Sequence, residues 1–580
     1  MINTNSFTKK LNIAKKSLFS INIYEMIYSV LFGIMCVIDK HVIHEPVSRS
    51  TILTSYITEF GFLDLLYSFV YIILTYAVIA GIKFCVKKVK EVVKLKYEEK
   101  DEQVCKKVPS ACDAVHIKRY DIFAWFIIVA LIMLIWTPYF MSHWPGGVYN
   151  DTVDSINIAL GKQEWSNQNT VLYALLWKLI FWIGSIANQG DYGGLKLMTL
   201  LQSLIMAGVG ASFFVWLKRR RIRLPFIILG VAAFSIFPIF PYYGISLWKD
   251  TLFSVVMFLY TWFFYIMAES LALKKKEVLN KRSLIIYSVL SLLIIFGRGN
   301  GIFIFISVSI AVAFIIKKHV NKAAICKFII LAMSIFALSI IVQGPVYKAL
   351  KVSEGGVAEK YGIPLQQTAY IISSGQEISE ESWKVLEGIL PRDGWINLYS
   401  PTVVDTIKFD PLFNKEFFSE NKGEFLKVYM ELLLKNPAKA FKGYLLATTG
   451  FWDVWKSSSS AYICTAHAWN SEYFMSDYFN MYTGMLLSDI VGPRWYISAG
   501  ALAWSMLLSF VFSLKGIKSK KEIESNMGHI YYLLSIVPGL SLWLTLLLAT
   551  PLAFSFRYAF SLLLCQPIYW MVIAKNIDTK

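Results

Sequence analysis

Residues 122–140 read IFAWFIIVALIMLIWTPYF, a stretch without one charged side chain. About 20 consecutive apolar residues allow an α-helix to cross the roughly 30 Å of hydrocarbon in a bilayer. Comparable stretches recur at Leu252 to Met267, Phe328 to Val342 and Ile530 to Leu548. The sequence therefore predicts an all-α integral membrane protein that crosses the bilayer many times.

The composition agrees with a lipid environment. Hydrophobic residues make up 56% of the 580 positions and charged residues only 17%, against about 25% charged residues in ordinary soluble domains. The formal net charge of +18 raises the question of nucleic acid binding. The basic residues, however, form short clusters beside apolar stretches and do not cover one face of a soluble domain. We therefore expect membrane lipids, and no nucleic acid, as partners.

The cysteines indicate neither a disulfide framework nor a zinc site, because no CxxC pair occurs and most of them lie in or beside apolar stretches. They are Cys36, Cys85, Cys105, Cys112, Cys326, Cys464 and Cys565. The first apolar stretch begins near Ile23 and is not followed by a small-residue cleavage site, so we expect it to remain as the first span. The residues assign no cofactor and leave a divalent metal open.

The basic clusters indicate which loops face the cytoplasm, because Lys and Arg near helix ends tend to stay on that side. Five clusters are assigned to the inside: Lys87 to Lys100 with Lys106 and Lys107, Lys218 to Arg221, Lys274 to Lys276, Lys317 with Lys318, and Lys515 to Lys521. About twelve transmembrane helices then follow, at residues 24–38, 63–85, 122–141, 194–217, 224–240, 250–268, 284–297, 299–316, 324–343, 496–513, 528–548 and 553–574.

The apolar stretch from Val171 to Ile186 is not counted as a span, because counting it would place Lys218 to Arg223 outside and reverse every later loop. Its aromatic residues suit a helix that lies at the level of the outer headgroups. The alternative is a true additional span with one break in the charge rule.

Four regions follow from this topology. Residues 1–120 hold two spans and a basic cytoplasmic loop, and residues 121–343 form a transmembrane module with the first outer loop and the interface helix. Residues 344–495 form a mostly helical external domain between spans 9 and 10, and residues 496–580 form a three-span segment. Within the external domain, a helix from Glu424 to Lys435 is predicted to break at Asn436-Pro437 and to resume from Ala438 to Thr449.

Polar residues that a membrane protein usually avoids come together, in this topology, at the outer ends of four spans. Charges at such depth are costly and are usually functional. The candidates are Asp151 and Asp154 after the third span, Lys249 and Asp250 at the sixth, Arg298 and Asn300 between the seventh and eighth, and Arg557 and Tyr558 at the twelfth.

Each candidate also has a purely structural interpretation. Asp151 is a favoured residue type for the N-cap of a helix from Thr152 to Leu160. The Lys249–Asp250 pair suits snorkelling at the headgroups. Arg298 suits a turn that its neighbouring glycines allow, and Arg557 suits an interface anchor.

Several short motifs carry a resemblance to a known superfamily. They are Tyr149-Asn150-Asp151-Thr152, Ala159-Leu160-Gly161, Ser166-Asn167-Gln168-Asn169-Thr170-Val171-Leu172, Ser246-Leu247-Trp248-Lys249-Asp250, Arg298-Gly299-Asn300-Gly301 and Phe556-Arg557-Tyr558. Their order resembles a largely uncharacterised bacterial family within the GT-C superfamily of membrane glycosyltransferases. The chain departs from that family at Gln168, Asn169 and Thr170, where His-His-Pro-like residues are expected, and at Ser155, where Gln is common.

The resemblance implies a sugar donor on a polyprenyl phosphate, used at the outer face of the cell membrane, and an envelope glycan, lipid or protein as the acceptor. Asp151 is then the expected base and Asp154 a second catalytic carboxylate, whereas Asp250 belongs to the expected substrate-binding residues. The cations of Arg298, Lys249 and Arg557 suit the departing phosphate. Asn300 and Tyr558 complete the expected substrate-binding set.

Two other functions compete with glycosyl transfer. A lipid or glycan transporter would also place polar groups along a substrate path, although usually near the membrane midplane. A polysaccharide polymerase would also combine many spans with one large outer loop. In the external domain, Trp383, Trp395, Trp452, Trp455 and Trp469 are candidate sugar platforms, with core packing or membrane contact as the alternative.

The topology is testable by cysteine-accessibility labelling in a background without the native cysteines. Single cysteines near Asp151, Asp250, Arg298 and Tyr399 are expected to react with a membrane-impermeant reagent from outside. Cysteines near Arg220 and Lys275 are expected to react only after the membrane is opened. Labelling of the Arg220 loop in intact cells would make residues 171–186 a true span and reverse the assignment of the site to the outer face.

Overall fold

The structure is a computed structural model of the 580-residue chain. It describes residues 22–46, 53–98, 119–186, 190–273, 278–317, 320–455, 476–491, 498–514, 528–549 and 552–577. Cys105, Cys112, Cys464, Trp469 and the basic clusters at 274–276 and 515–521 lie outside these residues.

The described residues are mostly helical, as the apolar stretches predict. The N-terminal part and the bundle contain α1 Ile23–His41, β1 Val42–Pro46, β2 Leu53–Ile57, α2 Phe62–Glu98, α3 Arg119–Ser142, α4 Asn150–Ala159, α5 Val171–Ile186, α6 Gly190–Arg219, α7 Leu224–Ile236, α8 Ile239–Ile245, α9 Lys249–Ala272, α10 Lys281–Gly297, α11 Gly301–Ile316 and α12 Lys322–Ile341.

A π-helical turn at Val342–Val346 continues α12 into α13, and 3-10 turns lie at Val357–Tyr361, Thr449–Phe451 and Phe556–Tyr558. The remaining helices are α13 Tyr347–Ala349, α14 Gly362–Ser373, α15 Glu380–Ile389, α16 Arg392–Asn397, α17 Asp405–Lys408, α18 Lys415–Glu420, α19 Lys422–Lys435, α20 Pro437–Thr448, α21 Tyr478–Thr483, α22 Leu487–Val491, α23 Ala499–Leu514, α24 Leu533–Ala549 and α25 Phe560–Asn576.

Five of the described helices are long and apolar enough to cross a membrane: Phe62–Lys90, Arg119–Ser142, Gly193–Arg219, Lys249–Ala272 and Lys322–Ala349. The bent pair of α7 and α8 adds a sixth if it is one span. These helices agree with the prediction of a membrane protein. Each predicted span overlaps a described helix or helix pair, whereas the number that crosses the bilayer stays a prediction.

Helix α9 lies at the centre of the bundle. It packs against α10, α24 and α25, and it carries fully buried aromatic residues such as Tyr260, Phe264 and Tyr265. A helix that is apolar on all sides and surrounded by other helices exposes little surface to lipid. Its first turn, at Lys249 and Asp250, is therefore held by neighbours on several sides.

The segment from residue 357 to residue 448 has a hydrophobic core of its own, which includes Leu365, Trp395, Phe418 and Phe425. The predicted break at Asn436-Pro437 is confirmed, because α19 ends at Lys435 and α20 begins at Pro437. Proline lacks the amide donor that would continue the preceding helix. The assignment of residues 344–495 to one external domain stays a prediction.

Backbone pairing joins this segment, and the residues just before it, to loops of the bundle. Ser353 pairs with Ser166 of the loop before α5, and Val403 pairs with Leu552 of the loop before α25. The amide of Ala553 donates to the carbonyl of Thr402 at 2.9 Å. These pairings place it beside the loop that follows α4 and the loop that leads to Arg557.

Two features differ from the sequence predictions or leave them untested. The antiparallel hairpin of β1 and β2 departs from the all-α expectation at residues 42–46 and 53–57, whereas the described chain is otherwise mostly helical. Helix α5 packs against α4 and α6, with Gly184 beside Gly194, and it exposes Leu179 and Trp182 on its other side. These contacts suit an interface helix and a short span equally, so its placement stays a prediction.

Candidate functional site

The loop before α4 and the loop before α9 are paired backbone to backbone, which brings their motifs together. Gly147 donates to the carbonyl of Ile245, and Leu247 donates back to the carbonyl of Gly147, both at 2.9 Å. The Thr152 hydroxyl donates to the Leu247 carbonyl at 2.6 Å. This pairing sets the first turns of α4 and α9 side by side.

Asp151 does not cap α4. The helix begins at Asn150, its N-cap residue is Tyr149, and no side chain donates or accepts at that cap. Asp151 lies in the first turn, and its Oδ2 accepts a hydrogen bond from Arg557 Nη1 at 2.8 Å. The N-cap interpretation is therefore wrong, and the carboxylate is directed towards the loop before α25.

The Arg557 guanidinium is held on several sides. Its second terminal nitrogen donates to the Tyr558 hydroxyl at 2.9 Å, and its Cζ lies 5.5 Å from the Trp248 ring centroid and 4.9 Å from the Tyr558 ring centroid. Trp248 itself stacks on Tyr149, with ring centroids 4.2 Å apart. Cation–π contacts and charge-assisted hydrogen bonds both favour one fixed guanidinium orientation.

The two carboxylates of α4 have opposite pKa shifts. Burial alone would raise the pKa of Asp151, but the charges of Arg557 and Lys249 hold that pKa below its usual value. Burial and the nearby Asp151 charge raise the pKa of Asp154. Asp151 therefore stays ionised at neutral pH, whereas Asp154 is the carboxylate that binds a proton more readily.

Asn169 links Lys249 to Asp154. Lys249 Nζ donates to Asn169 Oδ1 at 2.7 Å, and it lies 3.4 Å from the Gln168 carbonyl oxygen. The Asn169 amide in turn donates to Asp154 Oδ2 at 3.3 Å. Lys249 therefore contacts the loop that precedes α5, and its pair with Asp250 is not a free snorkelling pair at the surface.

Arg298 follows the last turn of α10 and makes fewer hydrogen bonds than Arg557. Its Nη1 lies 3.4 Å from Asp250 Oδ1 and donates a long bond of 3.4 Å to the Tyr558 carbonyl. Its Cζ lies 4.6 Å from the Tyr558 ring centroid. Within the residues that the structure describes, its guanidinium makes no other hydrogen bond, so most of its five donors are available to a ligand.

Asn300 serves a different contact. Its amide nitrogen donates to the Thr545 hydroxyl of α24 at 2.6 Å, and its backbone carries the turn between α10 and α11. The structure thus brings Asp151, Asp154, Lys249, Asp250, Arg298, Arg557 and Tyr558 into one polar cluster, and it places Asn300 on the side that faces α24.

Three participants were missed by the sequence analysis. Trp248 and Tyr149 stand inside quoted motifs, and their positions beside charged residues could have suggested contact with a cation. Lys408 gave no signal, since it lies far along the chain in α17. Its charge nevertheless reaches Asp151, and it is buried between Glu359 at 2.5 Å and Asp405 at 2.8 Å.

The tryptophans of the external region mostly have structural roles. Trp395 is fully buried and donates to the Leu386 carbonyl at 3.1 Å. Trp452 is buried, and Trp383 lies beneath the Arg392 guanidinium at 4.7 Å. Of the candidate sugar platforms in the described residues, Trp455 alone is largely exposed.

No group of three or more His, Cys, Asp or Glu side chains that could hold a metal ion occurs in the described part of the chain.

Comparison with known proteins identifies the family of this chain. The chain belongs to a family of unknown function, DUF6020, which matches residues 161–507. The match includes Lys249, Asp250, Arg298 and Asn300, and it does not extend to Asp151 or Arg557. No curated protein and no solved structure matches the chain.

The Arg298-Gly299-Asn300-Gly301 turn offers a matched pair of glycines for a stability test. A Cβ on Gly301 would lie 1.9 Å from the Ile294 carbonyl oxygen, whereas a Cβ on Gly299 would meet nothing within 4 Å. Gly301→Ala must therefore displace backbone, at a cost of about 1–3 kcal/mol. We expect a clear fall in the Tm of the purified protein for Gly301→Ala and a near-unchanged Tm for Gly299→Ala. Equal Tm values would mean that the α10–α11 turn is not built as described.

Proposed function

We propose that this protein is a GT-C-type membrane glycosyltransferase that moves a sugar from a polyprenyl-phosphate donor to an acceptor at the outer face of the cell membrane. About twelve spans and an external domain of residues 344–495 belong to the same proposal. The observation that carries it is a polar cluster that holds an ionised carboxylate, Asp151, bonded to Arg557, together with a second guanidinium, Arg298, whose donors are largely unused.

The reaction needs groups of both kinds. An acceptor hydroxyl attacks the anomeric carbon and its oxygen forms the new glycosidic bond, while the bond from that carbon to the phosphate oxygen breaks. The electron pair of the broken bond leaves with the polyprenyl phosphate. The hydroxyl proton passes to a carboxylate, and the growing negative charge on the phosphate is stabilised by fixed cations.

The contacts suggest separate roles for the residues. Asp151 is held in one orientation by Arg557, so it can accept a hydrogen bond from the attacking hydroxyl and receive its proton as the bond forms. Asp154, with its raised pKa, is the second carboxylate through which the proton can leave. One attacking hydroxyl and no nucleophilic carboxylate correspond to a single displacement with inversion.

The cationic side chains also have separate roles. Arg557 is engaged by Asp151, Tyr558 and Trp248, which makes it a positioning residue for Asp151. This revises the expectation that it binds phosphate. Arg298 keeps donors for the phosphate, and Lys249 lies close enough to Arg298 and Asp151 for their charges to interact. Arginine presents a planar fork that matches two phosphate oxygens.

The first experiment identifies the acceptor in the host cell. Deleting the gene and comparing wall polymers, membrane lipids and secreted proteins by mass spectrometry should show loss of one sugar from one class. A polymerase would instead shorten a polymer built from repeating units. A transporter would leave the lipid-linked sugar accumulated and unaltered, and either of these results would contradict the proposal.

Asp151→Asn is the first catalytic test. The amide keeps the size of the side chain but loses the charge that orients and deprotonates the acceptor, and a general base contributes roughly 10²- to 10⁴-fold. We expect insertion at the normal level and sugar transfer at least about a hundredfold slower, measured as product from a radiolabelled lipid-linked donor in proteoliposomes. Asp393→Asn, at an exposed position of α16, is the matched control. Near-normal transfer by Asp151→Asn would move the base to Asp154.

Arg298 is tested by an ordered series. Lysine retains a point charge and alanine retains none, so turnover is expected to fall in the order wild type, Arg298→Lys, Arg298→Ala. A contact made equally with bound donor and transition state raises the KM for the donor, whereas a contact with the leaving phosphate lowers kcat. If Arg298→Ala lowered only the Tm, with kcat and donor KM unchanged, Arg298 would be a turn anchor and the phosphate site would lie elsewhere.

A further inference from the structure

Asp250 is the most deeply buried carboxylate of the polar cluster. It lies in the first turn of α9, and 1% of its surface is exposed. Neither carboxylate oxygen accepts a hydrogen bond from any residue that the structure describes. Its nearest cation is Arg298, at 3.4 Å from Nη1 to Oδ1, which is an ionic contact and not a hydrogen bond of normal length.

This arrangement differs from that of the other paired carboxylates. Asp151 accepts a 2.8 Å hydrogen bond from Arg557. Elsewhere in the bundle, Asp121 accepts a 3.1 Å hydrogen bond from Arg219, the last residue of α6. The Lys249 side chain, next to Asp250 in sequence, bonds to Asn169 instead. Asp250 is thus left with two acceptor oxygens in a protein interior.

The helix alone does not account for this carboxylate. A negative charge in the first turn gains about 0.3–1 kcal/mol from the helix dipole. Burying a carboxylate without hydrogen bonds costs considerably more, because the oxygens lose their water donors. Donors from a bound ligand would offset that cost.

The neighbours of Asp250 restrict the chemistry of such a ligand. Arg298 is in contact with it, and Arg557 lies close enough for the two charges to interact. These cations disfavour an ammonium ligand and favour neutral hydroxyl donors beside an anionic group. A sugar linked to phosphate has both, and two adjacent hydroxyls match the two oxygens of one carboxylate.

We propose that Asp250 selects the transferred sugar, by accepting hydrogen bonds from two adjacent free hydroxyls while Arg298 holds the phosphate next to them. The ligand class is therefore a hexosyl phosphate lipid in which both hydroxyls are unsubstituted. This inference rests on the proposed glycosyl transfer and adds a specificity-determining residue to it.

The consequence is a defined pattern of substrate discrimination. A donor that lacks one of the two hydroxyls leaves a buried carboxylate oxygen without its donor. Sites that are built to bind a hydroxyl reject analogues that lack this hydroxyl by about 10⁴-fold. A hydroxyl that does not reach Asp250 can be removed at little cost.

The experiment uses synthetic farnesyl phosphates that carry glucose, mannose or galactose, and then the 2-, 3-, 4- and 6-deoxy forms of the hexose that is used best. With the full-length protein in proteoliposomes, we expect two adjacent deoxy positions to lower kcat/KM at least about a hundredfold. Asp250→Asn is expected to lower kcat/KM for the parent donor and to shrink those two penalties to within a few fold. The penalties at the other positions should be unchanged. Asp393→Asn should reproduce the wild-type pattern.

Two results would overturn the inference. One is an equal loss on every donor in Asp250→Asn, which would mean that Asp250 acts only through Arg298. The other is a wild-type protein for which no pair of deoxy positions matters, and this result needs no variant to fold. Asp250→Glu is a second variant that keeps the charge and moves the carboxylate, so it should change the deoxy pattern and not merely the rate.

Binding separates this inference from the proposed function. Isothermal titration compares farnesyl phosphate with its hexosyl derivative. If the wild type transfers no sugar but binds the hexosyl lipid more tightly, and Asp250→Asn removes that difference, the site is confirmed and glycosyl transfer is wrong. If transfer occurs but the deoxy pattern is the same in Asp250→Asn, transfer stands and the role of Asp250 is wrong.

Discussion

The hydrogen-bonded ion pair between Asp151 and Arg557 joins residues 406 positions apart in the chain. Charges at the ends of apolar helices are costly unless they are compensated. Each member of this pair offsets the desolvation of the other, and the Trp248 and Tyr558 rings restrict the guanidinium. The first loop of the bundle and the start of its last helix are thereby held in one arrangement, and Arg298, Lys249 and Asp250 are placed around it.

The other charged groups of the cluster are less completely paired than Asp151 and Arg557. This difference separates residues that hold the cluster together from residues that can contact a ligand. Arg557 uses both terminal nitrogens within the protein, whereas Arg298 makes two contacts of 3.4 Å. Asp151 accepts a short hydrogen bond, whereas Asp250 accepts none from the residues that the structure describes. A site that binds an anion beside hydroxyl groups needs such a mixture, because fully paired charges have no remaining capacity for a ligand.

The segment from residue 357 to residue 448, with the residues just before it, supports the polar cluster through backbone pairing more than through its tryptophans. Val403 pairs with Leu552, and Ser353 pairs with Ser166, so the segment fixes the loops that carry the polar residues. Lys408 adds a charge near Asp151 but is itself held by Glu359 and Asp405.

The sequence by itself determined the helical character, the membrane-compatible apolar helices and the break at Asn436-Pro437, because these depend on local composition and on the missing amide of proline. It also selected most of the polar cluster, since charged residues beside apolar stretches are conspicuous. It could not decide their partners: Asp151 suited an N-cap as well as a base, and Arg557 suited an interface anchor as well as a phosphate ligand. Only the tertiary structure showed that the two side chains pair with each other, because pairing depends on distances between loops far apart in sequence. The role of Lys408 and the unpartnered oxygens of Asp250 are of the same kind, as burial and hydrogen bonding are properties of the packed chain.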